Sequence, residues 1–225
     1  EILGVTKWEP TTPVQLSHQV LGRNPIFFPK TDETRVQAVP RVLKEMENIA
    51  CYITEKVDGT SISVWNHEGF GVGSRNYSLK PGEGGVYWQE VLKRDLDKTL
   101  PEGFCIQGEL MGPGIQGNKY GFKEHRILWY SGYNIISHCY LTYPELANLC
   151  DNLGLVMVPF VCLMTLDGEF SVDSMVEMAK DISALAPIQR EGLVIRAIKN
   201  EVSDVLEGRI SFKVINPAFL LKYDE

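Results

Sequence analysis

Glu55-Lys56-Val57-Asp58-Gly59-Thr60 is the stretch on which the reading of this chain turns. It follows Ile49-Ala50-Cys51-Tyr52-Ile53-Thr54 and precedes Ser61-Ile62-Ser63-Val64-Trp65, two runs rich in β-branched and aromatic residues. Such runs favour strands, and an Asp-Gly pair between them favours a tight hairpin connection. The sequence therefore predicts a lysine held near the end of a paired strand, partly buried beside a sharp turn. Burial disfavours the charged amine and lowers its pKa, which is the condition a nucleophilic lysine needs. Taken alone, Lys-x-Asp-Gly recurs by chance and a turn lysine is a solvated surface group, so the rest of the chain has to decide.

Working outward, residues 70–74 add a third strand, and residues 104–111 and 127–136 read as buried strands. Val86, Val91, Leu92 and Leu96 recur with helical spacing over 86–98. Pro144 at a first turn opens a short helix through Asn152. Val172, Met175, Val176, Ala179 and Ile182 give a helix over 172–185 one apolar face. Residues 193–198 and 210–215 close the set as strands. Upstream, Pro10, Pro13, Pro25 and Pro29 break any long helix in residues 1–34, and residues 35–48 have helical composition with the regular helix starting at Pro40. Strands and helices mix without strict βαβ alternation, which predicts an α+β domain of mainly antiparallel sheets flanked by helices. With no linker, repeat or low-complexity tract, residues 1–225 read as a single domain.

Hydrophobic residues make up 44% and charged residues 23% of the 225, ordinary for a globular protein. No run approaches 18 apolar residues, so no membrane partner is expected. Cys51, Cys105, Cys139, Cys150 and Cys162 are scattered and odd in number, a pattern of reduced thiols in an intracellular compartment rather than a disulfide framework or zinc site. The chain opens on Glu1-Ile2-Leu3-Gly4, with neither an initiator Met nor a basic-then-apolar leader, and reads as a piece of a longer protein cut on its N-terminal side. Net charge is −7. Phosphate contacts need clustered Lys and Arg, so that balance by itself counts against a nucleic-acid partner. Carboxylates gathered in a metal site would add negative charge while a local basic face still met a phosphate backbone.

Four further segments carry charge at strand ends. Gly73-Ser74-Arg75-Asn76 closes the third strand with an arginine. Ile106-Gln107-Gly108-Glu109-Leu110-Met111-Gly112 sets a glutamate inside an apolar strand, where a carboxylate is costly unless paired. Gln189-Arg190-Glu191-Gly192-Leu193-Val194-Ile195-Arg196 places another at the mouth of an apolar strand. Ile210-Ser211-Phe212-Lys213-Val214-Ile215-Asn216 holds a lysine in a β-patterned run. Together they would form a compact mixed-charge pocket. Gly112-Pro113-Gly114-Ile115-Gln116-Gly117-Asn118-Lys119 has the look of a phosphate-cradling loop. Asn118 stands where the lysine belongs and no Ser or Thr follows, so it reads as a glycine-rich surface loop.

In this order, Lys56-Val57-Asp58-Gly59, Ser74-Arg75, Gly108-Glu109, Tyr133-Asn134-Ile135, Glu191-Gly192-Leu193-Val194-Ile195 and Phe212-Lys213 resemble the motifs of the covalent nucleotidyltransferases, the superfamily of polynucleotide ligases and capping enzymes. The match runs from about residue 50 to residue 222. Within it, the run Glu109 to Asn118 and the upstream Lys30-Thr31-Asp32-Glu33-Thr34-Arg35-Val36-Gln37 are similar to ATP-dependent RNA ligases, most closely the nick-sealing enzymes that carry an OB-fold domain before the nucleotidyltransferase domain. A missing N-terminal OB domain in cis would fit the truncated start.

The resemblance implies a nucleotidyltransferase (ATP-grasp-like ligase) fold, a monomer, ATP with Mg²⁺ or Mn²⁺, and RNA with a nick or 5′-phosphate end as substrate. It implies that Lys56 attacks the α-phosphate of ATP to give lysyl-AMP, that AMP passes to an RNA 5′-phosphate, and that a 3′-hydroxyl then seals the strand. Lys213, Arg75 and the metal would favour the neutral amine of Lys56 and stabilise charge on the phosphate. Asp58, Glu109 and Glu191 would hold the metal or its waters. Arg75 would meet the ribose or phosphates, Tyr133 would stack on adenine, and Glu55 would read the adenine edge. Many family members place a second lysine two positions after the one matched by Lys213, yet position 215 is Ile. Lys222 is the candidate to supply that charge, and Lys30 and Arg35 are candidates for RNA or pyrophosphate contact. A DNA ligase, a capping guanylyltransferase, and a nucleotide- or RNA-binding module without catalysis are the alternatives.

Overall fold

The computed structural model describes residues 18–82, 85–166 and 170–223; Pro10 and Pro13 lie outside them. In chain order the elements are β1 (Val20–Arg23), β2 (Thr34–Arg35), α1 (Val42–Glu45), β3 (Ala50–Lys56), β4 (Thr60–Asn66), β5 (Phe70–Gly73), β6 (Tyr77–Leu79), α2 (Val86–Leu92), α3 (Leu96–Thr99), β7 (Phe104–Met111), β8 (Arg126–Asn134), β9 (Cys139–Tyr140), α4 (Tyr143–Asn152), β10 (Phe160–Thr165), α5 (Val172–Ala179), β11 (Gly192–Ala197), β12 (Val202–Ser203), β13 (Gly208–Arg209), β14 (Ser211–Ile215) and α6 (Pro217–Tyr223). They form an α+β fold of two principal sheets. One has seven strands in the order β1-β6-β5-β4-β7-β8-β9, the other five in the order β10-β3-β11-β14-β2, and β12-β13 is a short ribbon. The pairings are antiparallel except that of β14 with β2.

Because successive strand side chains point to opposite faces, each sheet turns one face to a hydrophobic core and the other toward the space between the sheets. Ile62, Val64, Ile106 and Leu110 of the seven-stranded sheet pack on Trp88 and Val91 of α2, Leu96 of α3 and Leu146 of α4. Ile53, Leu193, Ile195 and Phe212 of the five-stranded sheet pack on Val42 of α1 and Met175 and Ala179 of α5. Each such side chain, once buried, contributes about 1.5–3 kcal/mol. The alternate residues, among them Thr54, Lys56, Ser61, Glu109, Arg196 and Lys213, line a cleft between the two sheets.

The Asp58-Gly59 connection differs from the expected hairpin. β3 belongs to the five-stranded sheet and β4 to the seven-stranded one, so the two apolar runs do not pair. Lys56 is at the end of a paired strand, but its neighbour is β11. Neither Asp58 nor Gly59 adopts the positive φ that the favoured two-residue hairpin turns require. Gly59 serves close approach instead: a Cβ there would lie 2.5 Å from the Leu110 carbonyl oxygen and 2.9 Å from Glu109 Cγ.

Three helices are shorter than their periodicity predicts. Residues 86–98 divide into α2 and α3 at Asp95, whose φ of 52° is left-handed. The helix expected from Pro40 to Asn48 is only the four residues of α1. α5 stops at Ala179, and Ile182, assigned by sequence to its buried face, is 52% exposed. The chain beyond α5 turns back on itself instead, with Ser183 N–H donating to the Ile188 carbonyl and Arg190 N–H to that of Asp181. α4 follows expectation, with Thr142 and Glu145 forming a capping box around Pro144. No helix among the described residues is long and apolar enough to cross a membrane.

Candidate active site

One wall of the cleft is the ladder β3-β11-β14. Lys56 stands opposite Gly192, and Thr54, Val194 and Lys213 face one another across the three strands. Glycine is required at 192 because a Cβ would sit 2.1 Å from the Val214 carbonyl oxygen. The adjacent Glu191 carboxylate forms an ion pair with Lys56, whose Nζ donates to Oε1; both side chains are mostly buried. Lys213 is half-buried. Burial first, then the positive charges of Lys56, Arg35 and Arg75, pull its ammonium below the usual lysine range.

The facing wall comes from β4, β7 and β8, where Ser61 pairs with Glu109. Burial raises the Glu109 carboxyl to about 8; Lys56 and Arg75 oppose that rise, and the negative charges of Glu191 and Asp58 add to it. The cleft has a volume of about 400 Å³ and is lined from both walls. Lys56, Asp58, Arg75, Glu109, Glu191 and Lys213 all line it.

Other assigned residues are placed differently. Glu55 lines the cleft, but period 2 turns its side chain to the opposite face of β3 from Lys56. There its carboxylate accepts from Ser183 Oγ and, at 2.9 Å, from the Ala184 N–H. Arg75 forms an ion pair with Asp32 at the mouth, both more than half exposed. Asp58 pairs with Lys119 at 2.9 Å, and its backbone N–H donates to Tyr120 Oη at 2.9 Å. Arg35 pairs with Lys213 through the parallel β2-β14 contact without lining the cleft. Lys30 and Lys222 are exposed and do not line it either.

Tyr133 is a correction. Its ring stands against Tyr140 at 5.2 Å and joins Phe28, Trp65, Cys105 and Ile135 in a separate apolar cluster. The aromatic side chain in the cleft is Tyr130. A register shift, in which Gln107 faces Ser131 while Gly108 faces Trp129, leaves Tyr130 without an opposite number; Tyr133, opposite Cys105, lies farther along the same strand. Arg196 Nη1 donates to the Tyr130 carbonyl at 3.1 Å, and its guanidinium carbon lies 5.6 Å from the ring centre.

Arg196, Glu33, Asp32 and Lys119 were also missed by sequence reasoning. Arg196 donates to Glu33 at 2.8 Å and to Ser211 Oγ at 2.9 Å, and Arg209 reaches the same Glu33 oxygen at 3.5 Å. Burial alone would raise Glu33, but the two guanidinium groups and the hydroxyl hold it below the usual carboxylate range. The sequence signal for this network was present: Arg196 sits in the apolar run of β11, where an unpartnered charge is costly.

Among the described residues no three carboxylate, imidazole or thiol groups converge closely enough to enclose a metal. The raised Glu109 does record the fields of Asp58 and Glu191, and a divalent ion would relieve that repulsion. The donors fit a hard ion that keeps several waters and shares phosphate oxygens, with Glu109 and Glu191 as the closest protein groups to it in chemical type.

A family model described as RNA ligase matches residues 49–215. No curated protein sequence matches the chain at a significant level. Among solved structures, the Naegleria gruberi RNA ligase with PPi aligns at 30% identity and a TM-score of 0.84 over 99% of this chain and 66% of that one. A mutant of the same enzyme with ATP and Mn aligns at 30% identity and 0.83 over 99% and 65%. A mutant with AMP and Mn aligns at 30% and 0.83 over 98% and 66%. This chain therefore spans about two thirds of the length of those ligases. With the Lys56–Glu191 pair, Glu109 and Lys213 gathered in one cleft inside the matched span, the chain belongs to the RNA ligase family.

Proposed function

We propose that this chain is the nucleotidyltransferase domain of an ATP-dependent RNA ligase and that Lys56 carries the nucleotide. In the first step a P–N bond forms between Lys56 Nζ and the α-phosphorus of ATP, and the P–O bond to pyrophosphate breaks. Lys56 must shed a proton to attack, and the Glu191 carboxylate already accepts its hydrogen bond. Lys213 and Arg75 set positive charge where negative charge accumulates on the phosphates. Tyr130 offers the aromatic face for the base. A bound divalent ion would supply Lewis-acid charge to the phosphate oxygens, with Glu109 and Glu191 as its candidate holders through water, while Asp58 is engaged by Lys119. AMP then passes to an RNA 5′-phosphate, and the adjacent 3′-hydroxyl displaces it. Solved relatives with ATP, AMP, PPi and Mn support this reading.

RNA, an OB-fold domain in cis, a monomeric state and an intracellular setting belong to the same proposal. With a net charge of −7, this piece has little long-range attraction for a phosphate backbone, so self-adenylylation is expected to be more robust than strand sealing. The observation that carries the reading is the Lys56–Glu191 ion pair in a cleft shared with Glu109 and Lys213. Mass spectrometry after incubation with ATP and Mn²⁺ tests it: one AMP adduct is expected on the wild type and none on Lys56→Ala. Adduct on the variant would remove Lys56 from the role. Label from GTP alone would favour a capping enzyme, and sealing of DNA nicks in preference to RNA would favour a DNA ligase.

A further inference from the structure

The glycine-rich loop over 112–119 ends in a buried cation, and that cation has specific company. Lys119 Nζ lies 2.9 Å from Asp58 Oδ2, with each side chain only 10% exposed. The same ammonium sits 5.0 Å from the Phe219 ring centre and 4.9 Å from that of Tyr223, two aromatic residues one turn apart on α6. Cations over aromatic faces gain most when desolvated, as here. The loop that presents Lys119 is itself tied down: the Asn118 amide donates to and accepts from Phe122 backbone at 2.8 and 3.1 Å, and His125 Nε2 meets the Pro113 carbonyl at 2.8 Å. The neighbouring Tyr120 hydroxyl accepts from the Asp58 backbone N–H.

α6 has a second link to the nucleophile. Asn216 is fully buried; its backbone N–H donates to the Glu191 carbonyl at 2.9 Å, and its side-chain oxygen accepts from the Ala218 N–H in the first turn of α6. One end of α6 is therefore fastened to the strand mouth that holds Glu191, the ion-pair partner of Lys56. The rings farther along α6 enclose the cation that holds Asp58, two residues from Lys56. No residue of α6 lines the cleft.

We infer that Lys119 is a positioning residue for the Lys56-Asp58 turn, and that α6 acts on the reaction through Lys119 rather than through Lys222. The inference rests on the adenylylation reading above. Without the ammonium, Asp58 becomes a buried carboxylate without that counter-charge, and the turn joining nucleophile to facing wall relaxes to relieve it. The attack geometry, and hence the maximal rate, suffers more than the affinity for ATP.

The test is single-turnover formation of the AMP adduct on the full chain with ATP and Mn²⁺, across ATP concentrations, with thermal unfolding of each variant alongside. Lys119→Met is expected to lower the maximal rate about tenfold or more while half-saturating ATP stays within about threefold. Lys119→Arg, which keeps a charge and stacks on rings, should recover most of that loss. Tyr223→Leu should lower the maximal rate about threefold, and Leu221→Ala, exposed on the same helix, should leave it unchanged. In an Asp58→Asn background, Lys119→Met should cost almost nothing further, since coupled residues are non-additive. Undiminished maximal rate in Lys119→Met, or full additivity with Asp58→Asn, would overturn the inference. Should Lys119→Met not fold, unchanged rates in both Lys119→Arg and Tyr223→Leu would overturn the α6 link, and a loss in Tyr223→Leu alone would support it. If the wild type forms no adduct, the ligase reading fails. The same Lys119–Asp58 cycle read on thermal unfolding then still decides whether the pair is coupled.

Discussion

The two walls of the cleft are both antiparallel sheet, yet they hold their functional side chains by different means. On the five-stranded wall, β3, β11 and β14 run in register without a shift, so Thr54, Val194 and Lys213 form one row and Lys56 and Gly192 begin the next. Charge spacing there follows directly from strand period. On the seven-stranded wall, the shift between Gln107 and Gly108 breaks the period and leaves Tyr130, which lines the cleft, without an opposite number. The regular wall fixes cations relative to one another, and the bulged wall sets a ring and an acid independently of that ladder. The Glu33–Arg196 pair joins them, since Arg196 belongs to β11 and donates to the backbone of β8.

That junction is where the comparison is easiest to break. Glu33→Ala leaves Arg196 and Arg209 facing each other in the interior, and removing one partner of a buried ion pair costs about 3–5 kcal/mol; urea unfolding at neutral pH would measure it, and a loss below 1 kcal/mol would mean that water already screens the cluster. Next in size is the contrast between two tyrosines. Tyr130→Ala is expected to lower kcat/KM for ATP about tenfold or more, the size of one base–aromatic stack. Tyr133→Ala should stay within about threefold and instead lose about 2 kcal/mol of stability, as truncation of a packed ring does. Adenylylation kinetics that ranked the two the other way round would return the base-binding role to Tyr133.

A pH experiment sharpens the contrast between the walls. In metal-free buffer the folded protein keeps a proton on Glu109 up to about 8, whereas the unfolded chain releases it near the ordinary value of 4.5. Stability from this group is therefore complete below 4.5 and is lost as pH rises through 8. Glu109→Gln removes the dependence, so its unfolding free energy should gain on the wild type across that window. A constant difference between the two would show Glu109 ionised and solvated in the folded state. The smallest effect is expected from Lys222→Ala, within about 0.5 kcal/mol in stability and about twofold in adenylylation, as for an exposed side chain away from the site.

How much of this could be read in the sequence follows from the same distinction. Lys56, Glu191 and Lys213 were legible because they stand in or beside strands whose apolar partners alternate cleanly, and Glu109 because a carboxylate in an apolar strand demands a reason. Tyr130 was not legible: the aromatic role came from the resemblance of Tyr133-Asn134-Ile135 to a family motif, and nothing in the run of β8 marks Tyr130, three positions earlier, as the ring that lines the cleft. Asp58-Gly59 was misread for a similar cause. Two apolar runs around Asp-Gly look alike whether they pair with each other or with strands far along the chain, and only the approach of Gly59 to Leu110 separates the cases. The helix over 172–185 was overextended because Ile182 continued the apolar spacing, while capture of Ser183 and Ala184 by Glu55 is a contact across more than a hundred residues.

Only Val57, Asp58 and Gly59 separate the end of β3 from the start of β4. A chain reaches at most about 3.5 Å per residue, so Lys56 and Thr60 cannot part by more than about 14 Å however wide the rim gapes. A leash that short keeps the amine of one wall within reach of the wall opposite, whatever the rest of the cleft holds.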